Sequence, residues 1–238
     1  MAHDLNNVHS PDYHVGDGVL CVDKPAGLTS ATVVGRVKRL IGGRAKVGHA
    51  GTLDSFATGV LLILIGRATK RCEELMGSPK QYEAVIRLGA TTETLDPLSP
   101  PIEKPEAVAP TTEAVRAALA TQVGTILQVP PAFSALKVGG RRASDRTRAG
   151  ETLDLPPRPV RIDAIDLLDY AWPHARVRID CGRGTYVRAI ARDLGATLDV
   201  GGYLTELRRT RVGPFDIRTA ADLGTLDLPE IKRRINAA

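Results

Sequence analysis

Asp54 lies within the run Gly48-His49-Ala50-Gly51-Thr52-Leu53-Asp54-Ser55-Phe56-Ala57-Thr58-Gly59. Three glycines and small neighbours let the backbone approach a ligand closely, so a carboxylate held there is within reach of a substrate. Asp is equally common as a turn or helix-cap residue, because its side chain accepts backbone N–H groups; alone, the residue supports either role. Other groups carry weaker signals. Gly182-Arg183-Gly184 lacks the third glycine of a dinucleotide turn and the lysine of a phosphate loop. Cys21, Cys72 and Cys181 are odd in number, far apart and without Cys-x-x-Cys spacing. They support neither a disulfide framework nor a zinc site, and reduced, buried thiols are expected.

Several elements must position that carboxylate. Val60 to Ile65 is a short apolar run between Gly59 and Gly66, the pattern of a buried strand. Upstream, residues 19–22 predict a strand. Thr29 or Ser30 can cap a helix whose Val33, Val34, Val37, Leu40 and Ile41 share one face before Gly42-Gly43 ends it. Ala68 to Met76 predicts a helix, and Tyr82 to Leu88 alternates as a strand. Five prolines in 97–111 make a connecting loop, and Thr112 to Gln122 a helix. Residues 130–159, rich in Arg, Gly and Pro, form an inserted segment with a short helix near Ala143 to Ala149. Val160 to Ile165 and Ala175 to Asp180 alternate as strands, and Tyr186 to Leu198 predicts a helix. Strands and helices without a regular βαβ rhythm point to an α+β fold with a mixed sheet.

The 238 residues suffice for one large domain or two small ones, and 43% hydrophobic residues suffice for a core. The formal net charge of +5 fits a polyanionic partner without establishing one. Basic residues gather at Arg36 to Lys46, at Arg141 to Arg148 and at Arg208, Arg209 and Arg211, which favours phosphate contacts over merely solvated faces. The amino terminus has no basic-then-apolar leader, and no segment is apolar for the length of a membrane span, so no membrane association and a cytoplasmic location are expected.

Several segments occur in the order of one known family. His49-Ala50-Gly51-Thr52-Leu53-Asp54 is followed by Ala57-Thr58-Gly59 and the apolar strand. Asp23-Lys24-Pro25-Ala26-Gly27-Leu28-Thr29-Ser30 precedes it, and Lys80-Gln81-Tyr82-Glu83, Arg87-Leu88-Gly89 and Thr94-Leu95-Asp96 come after. Pro130-Pro131-Ala132-Phe133-Ser134-Ala135-Leu136-Lys137, Gly184-Thr185-Tyr186-Val187-Arg188 and Leu207-Arg208-Arg209 complete the set. Over residues 18 to 215 the chain resembles the TruB family of tRNA pseudouridine synthases. It departs at Ser55, where the family usually has Pro, at Phe133, where Tyr is common, and around Arg142 to Arg148, where a Tyr is missing.

The resemblance implies the pseudouridine synthase fold, a central mixed or antiparallel sheet flanked by helices. Its catalytic domain would cover 18–217, with 130–159 as the inserted RNA-contacting segment. Residues 1–17 are expected as a flexible extension and 218–238 as a short tail with a single helix, Pro229 to Ala237, rather than a full PUA domain. The implied reaction isomerises the T-loop uridine at tRNA position 55, with Asp54 as the catalytic carboxylate, Arg188 as its ion-pair partner and Tyr186 packing on the target base. Without the resemblance, Arg188 reads as an exposed helical cation and Tyr186 as a half-buried core aromatic. His49 would fill the space left by the extruded base, Tyr82 and Leu207 would line the uracil pocket, and Lys24, placed among the substrate-binding residues, would chiefly brace the Asp54 loop. No cofactor or metal is expected; the partner is the T arm of tRNA, with no obligatory protein partner. Nine aromatics, 4% of the chain, exclude a broad stacking platform.

Overall fold

The computed structural model describes residues 15–235. In chain order the principal elements are β1 (Gly18–Lys24), α1 (Ser30–Leu40), β2 (Val47–Ala50), β3 (Thr58–Ile65), α2 (Cys72–Gly77), β4 (Lys80–Leu88), α3 (Thr112–Ala120), β5 (Gly124–Gln128), α4 (Ala143–Arg148), β6 (Arg158–Ala171), β7 (His174–Cys181), α5 (Val187–Thr197), β8 (Gly202–Val212) and α6 (Leu228–Ile235). A ten-stranded sheet runs from a short strand at Ala221–Asp222 through β1, β3, β8, β4, β7, β6 to β5, with β2 paired to β3 and Phe215–Asp216 to β8. All pairs are antiparallel except β1 with Ala221–Asp222 and β3 with β8. The sheet is therefore mixed, with helices against it.

β3 explains why its sequence is continuously apolar: both of its faces are covered. Leu61, Ile63 and Ile65 meet Val33 and Val37 of α1 and Ile231 and Ile235 of α6, while Val60, Leu62 and Leu64 meet Leu75 of α2. β4 alternates instead, sending Tyr82, Ala84, Ile86 and Leu88 into a core shared with α3 and α5. α1 begins as its sequence predicts. Thr29 Oγ1 accepts the N–H of Thr32 at 3.1 Å, and Gly42 and Gly43 take φ of 75° and 76° beyond its end.

Five expectations need correction. The span 68–76 is a 3₁₀ turn, Gly66–Arg71, followed by the short α2; one unbroken helix does not form. The run around His49 starts as strand β2, so His49 is held in the sheet by pairing with Ile63. Val15 is already buried in the α1/α6 core and Asp17 pairs with Arg67, so packing starts inside the expected extension, whose residues 1–14 lie outside the described ones. α6 begins at Leu228 rather than Pro229 and reaches Ile235, the last described residue. Cys21 and Cys72 are only half-buried, unlike Cys181; all three are free.

β8 and β5 had no counterpart in the sequence reading. β8 carries Glu206, Arg208, Arg209 and Arg211, charges that hide a central strand. It meets β3 at one close crossing, Arg209 opposite Gly59. Gly59 has φ of 108°, and a Cβ there would lie 2.2 Å from Arg209 O. Both strain and overlap oppose any side chain, so Gly59→Ala is expected to destabilise the fold by about 3 kcal/mol, measured by chemical denaturation.

Candidate active site

Asp54 follows β2 and precedes β3, on a loop whose carbonyls from Gly51 to Ser55 are all engaged. Gly51 O and Thr52 O accept from Arg209 Nη2 (3.0 Å) and Nη1 (3.4 Å). Leu53 O accepts from Ser30 Oγ, which in turn accepts the Leu53 N–H. Asp54 O accepts the Ala57 N–H. Ser55 O accepts from Lys24 Nζ at 3.2 Å and from the Gly27 N–H at 2.8 Å. Five consecutive acceptors held this way leave the loop little freedom, which is what presents a carboxylate in one orientation.

Lys24 is fully buried. Its three ammonium protons go to the carbonyls of Pro25, Leu28 and Ser55. That leaves none for a ligand, so its place is behind the loop and not among the substrate-binding groups. Burial draws its pKa down to about 8, opposed by the charge of Asp54. Arg209, grouped by sequence with phosphate-contacting cations, is 1% exposed and donates to Val60 O at 2.7 Å besides the two loop carbonyls. It is internal scaffolding.

Arg188, on the first turn of α5, meets Asp54. Its Nη2 donates to Asp54 Oδ1 at 3.1 Å and its Nε lies 2.9 Å from Oδ2, at ion-pair distance without hydrogen-bond alignment. The guanidinium is buried and also serves Thr94 O and Phe133 O, both at 2.9 Å, and the buried Asp96 at 3.4 Å. Asp96 is itself held by Thr94 Oγ1 at 2.5 Å and the Leu98 N–H at 3.0 Å. Burial pushes the Asp54 carboxyl above its ordinary value near 3.8; Arg188 opposes the rise and Asp96 adds to it.

Two cavities flank Asp54 and Arg188. One, of about 430 Å³, is walled by Tyr82, Tyr186 and Leu207. The other, of about 350 Å³, is walled by His49, Ser134, Asp96 and Arg142. Tyr186 is clamped at its backbone by Gln128, whose Oε1 accepts the Tyr186 N–H at 2.9 Å and whose Nε2 donates to Tyr186 O at 3.3 Å. Burial holds the Tyr82 phenol protonated and lowers the pKa of His49. His49 Nδ1 and Ser134 Oγ are buried without a hydrogen-bond partner. The structure thus gathers six of the seven residues that sequence singled out. It adds Asp96 and Gln128, which sequence did not assign: the first was visible only as part of a motif, and the second lies in an unread strand.

Residues 38–187 match the family model described as "TruB family pseudouridylate synthase (N terminal domain)", and residues 188–230 match the "tRNA pseudouridylate synthase B C-terminal domain". The chain belongs to the TruB family of pseudouridylate synthases. It is 51% identical over 215 residues to "tRNA pseudouridine synthase B" of Mycobacterium ulcerans (strain Agy99), covering 89% of this chain and 71% of the relative. The protein of that name from Corynebacterium glutamicum (strain R) is 46% identical, with 93% and 76% covered. Among solved structures, a Cbf5-Nop10-Gar1 complex matches with TM-score 0.70 at 28% identity, over 94% of this chain and 60% of that one. An H/ACA RNP bound to a substrate RNA containing 2'-deoxyuridine matches with TM-score 0.66 at 26% identity, over 95% and 61%. The chain therefore spans less than two thirds of those solved chains, and the pseudouridine synthase fold is common to all.

The raised pKa of Asp54 sets the sign of one outcome for this TruB chain. A carboxyl whose folded pKa lies above its unfolded one contributes stability in its protonated form, present below the unfolded value and lost as pH rises through the folded value. Above its raised folded value, the ionised Asp54 carries a penalty that asparagine lacks. Asp54→Asn is therefore expected to raise Tm at neutral pH, the gain shrinking as pH falls toward about 3.8. Arg188→Met leaves Asp54 and Asp96 facing each other without a cation and is expected to cost about 3 kcal/mol or more, read by denaturant titration.

Proposed function

We propose that the protein isomerises the T-loop uridine at position 55 of tRNA to pseudouridine, with Asp54 as the catalytic carboxylate. The observation that carries this reading is the placement of Asp54, ion-paired to Arg188, at the edge of a cavity walled by Tyr82, Tyr186 and Leu207. Such a cavity suits one planar base, entered by extrusion from the stack at a cost of a few kcal/mol. Tyr186 offers a face for the ring, Tyr82 and Leu207 enclose it, and His49, across Asp54 in the other cavity, occupies the space the base vacates.

Hydrolysis of a glycosidic bond ordinarily uses two carboxylates, one of them to activate water. Here the second carboxylate, Asp96, is buried and committed to Arg188, Thr94 and the Leu98 N–H. One free carboxylate suits a reaction that consumes no water: the C1'–N1 bond breaks, the uracil turns, and C5 joins C1'. The exposed cations of the first basic cluster, Lys38, Arg39, Arg44 and Lys46, make no ion pair among the described residues, so they are available to RNA phosphates. Arg142 is likewise exposed and lines the cavity beside His49, and a cytoplasmic location fits a tRNA substrate.

The test is a modification assay with purified protein, no cofactor and no other protein, on an unmodified tRNA transcript and on one lacking the position-55 uridine. Pseudouridine is expected at that position alone. Asp54→Asn is expected to abolish product while keeping the Kd for tRNA within about threefold, because it removes charge and little volume; product formation by that variant would remove Asp54 from the chemistry.

A further inference from the structure

The cavity that holds Tyr82, Tyr186 and Leu207 is also lined by charged groups with no task so far, and among them Lys80 is the buried one. Lys80 opens β4, lies on the wall of that cavity and is 8% exposed. Its Nζ donates to Met76 O at 2.5 Å and to Ser78 O at 2.6 Å, which leaves one of three protons without an acceptor. Lys24, the other buried lysine, gives all three of its protons to carbonyls.

Among the described residues no carboxylate forms an ion pair with Lys80, although Asp54 lines the same cavity. The groups that face it are Arg209 from β8, the Cys181 thiol opposite it on β7, and Arg183 from the turn before α5. Arg183 is itself paired with Glu73 at 2.8 Å. Burial brings the Lys80 pKa down to about 8, with Arg209 and Arg183 adding to the fall and Cys181 opposing it. A buried ammonium without a counter-charge costs several kcal/mol that an apolar side chain would not, and its position beside a cavity points to a use there.

In the proposed reaction the C1'–N1 bonding pair leaves with the ring. Uracil is then an anion whose charge spreads over N1, O2 and O4. When C5 bonds to C1', a proton leaves C5 and one is taken up at N1, and the charge returns to zero with nothing consumed. A fixed cation in a cavity shielded from water stabilises such a transient charge strongly. We propose that Lys80 is a catalytic group of this reaction: its third N–H donates to a carbonyl oxygen of the extruded uracil and stabilises the ring anion between cleavage and rejoining. This deepens the pseudouridine-forming reading above and rests on it.

The experiment compares wild type, Lys80→Met and Lys80→Arg on the unmodified tRNA transcript across pH, with thermal unfolding measured alongside. Lys80→Met is expected to lose about a hundredfold in kcat, with little change in KM and a Tm lowered by the loss of donors to two carbonyls, while Lys80→Arg keeps most of the rate. In wild type, kcat/KM, which reports free-enzyme groups, is expected to fall as pH rises through about 8, and Lys80→Met to lack that limb. A Lys80→Met protein with wild-type kcat and a lowered Tm would show that Lys80 only satisfies the carbonyls of Met76 and Ser78. If the variants do not fold, wild type alone decides: no fall in kcat/KM between roughly pH 7 and 9 overturns the proposal. Absence of pseudouridine with wild type is a different result, the failure of the functional reading itself, and the Lys80 proposal falls with it.

Discussion

A single buried guanidinium organises the site. Taking Arg188 out of water is tolerable only because its charge and its donors are answered, and the answers come from three parts of the chain. Asp54 supplies one carboxylate from the loop before β3 and Asp96 a second from the turn after β4, while Thr94 and Phe133 give backbone carbonyls. Because α5 carries Arg188 and is packed into the largest core cluster, those loops are positioned against a rigid element. The inserted segment, through Phe133 O, joins the same network. Whatever the insertion does to a bound RNA is therefore linked mechanically to the group that faces Asp54.

The arrangement keeps Asp54 short of full compensation. Arg188 is shared between two carboxylates and two carbonyls, and its Nε is poorly aligned on Asp54. Burial consequently still wins over the ion pair and lifts the carboxyl above its ordinary value. A carboxylate bound by a dedicated arginine would be better stabilised and less reactive. Dividing one cation between two carboxylates leaves Asp54 partly exposed, at 33% of its side-chain surface, and Asp96 sealed at 4%.

Much of this was legible from residue order. The Gly-rich run with Asp54, the doubly covered strand after it, the Thr29-capped helix and the helix bearing Arg188 all follow from local pattern, because each has an apolar period or a cap that local physics enforces. What escaped was set by burial of charge. β8 reads as a polar stretch because Arg208, Arg209 and Arg211 interrupt it, yet Arg209 is inside, donating to three carbonyls. Arg208 and Arg211 are half-exposed and paired with Asp23 and Asp180. A cation's destination depends on which acceptors the fold brings to it, and these acceptors are more than a hundred residues away. Gln128 escaped for the same reason, since its task is defined only by the approach of Tyr186.

Buried cations thus stand on both sides of the Asp54 loop with different duties. Lys24 and Arg209 hold its backbone from behind by donating to carbonyls, so their charge is answered by dipoles and the loop cannot relax without exposing them. Arg188 holds its side chain from the front by charge. Neutral replacements of matching shape at the first two positions would strip the donors from the carbonyls of residues 51 and 52 and one of two donors from that of residue 55, and buried carbonyls without donors cost about 1–3 kcal/mol each. The loop's geometry and the fold's stability therefore depend on the same hydrogen bonds. The side chain of Asp54, in contrast, is left by those bonds facing the two cavities.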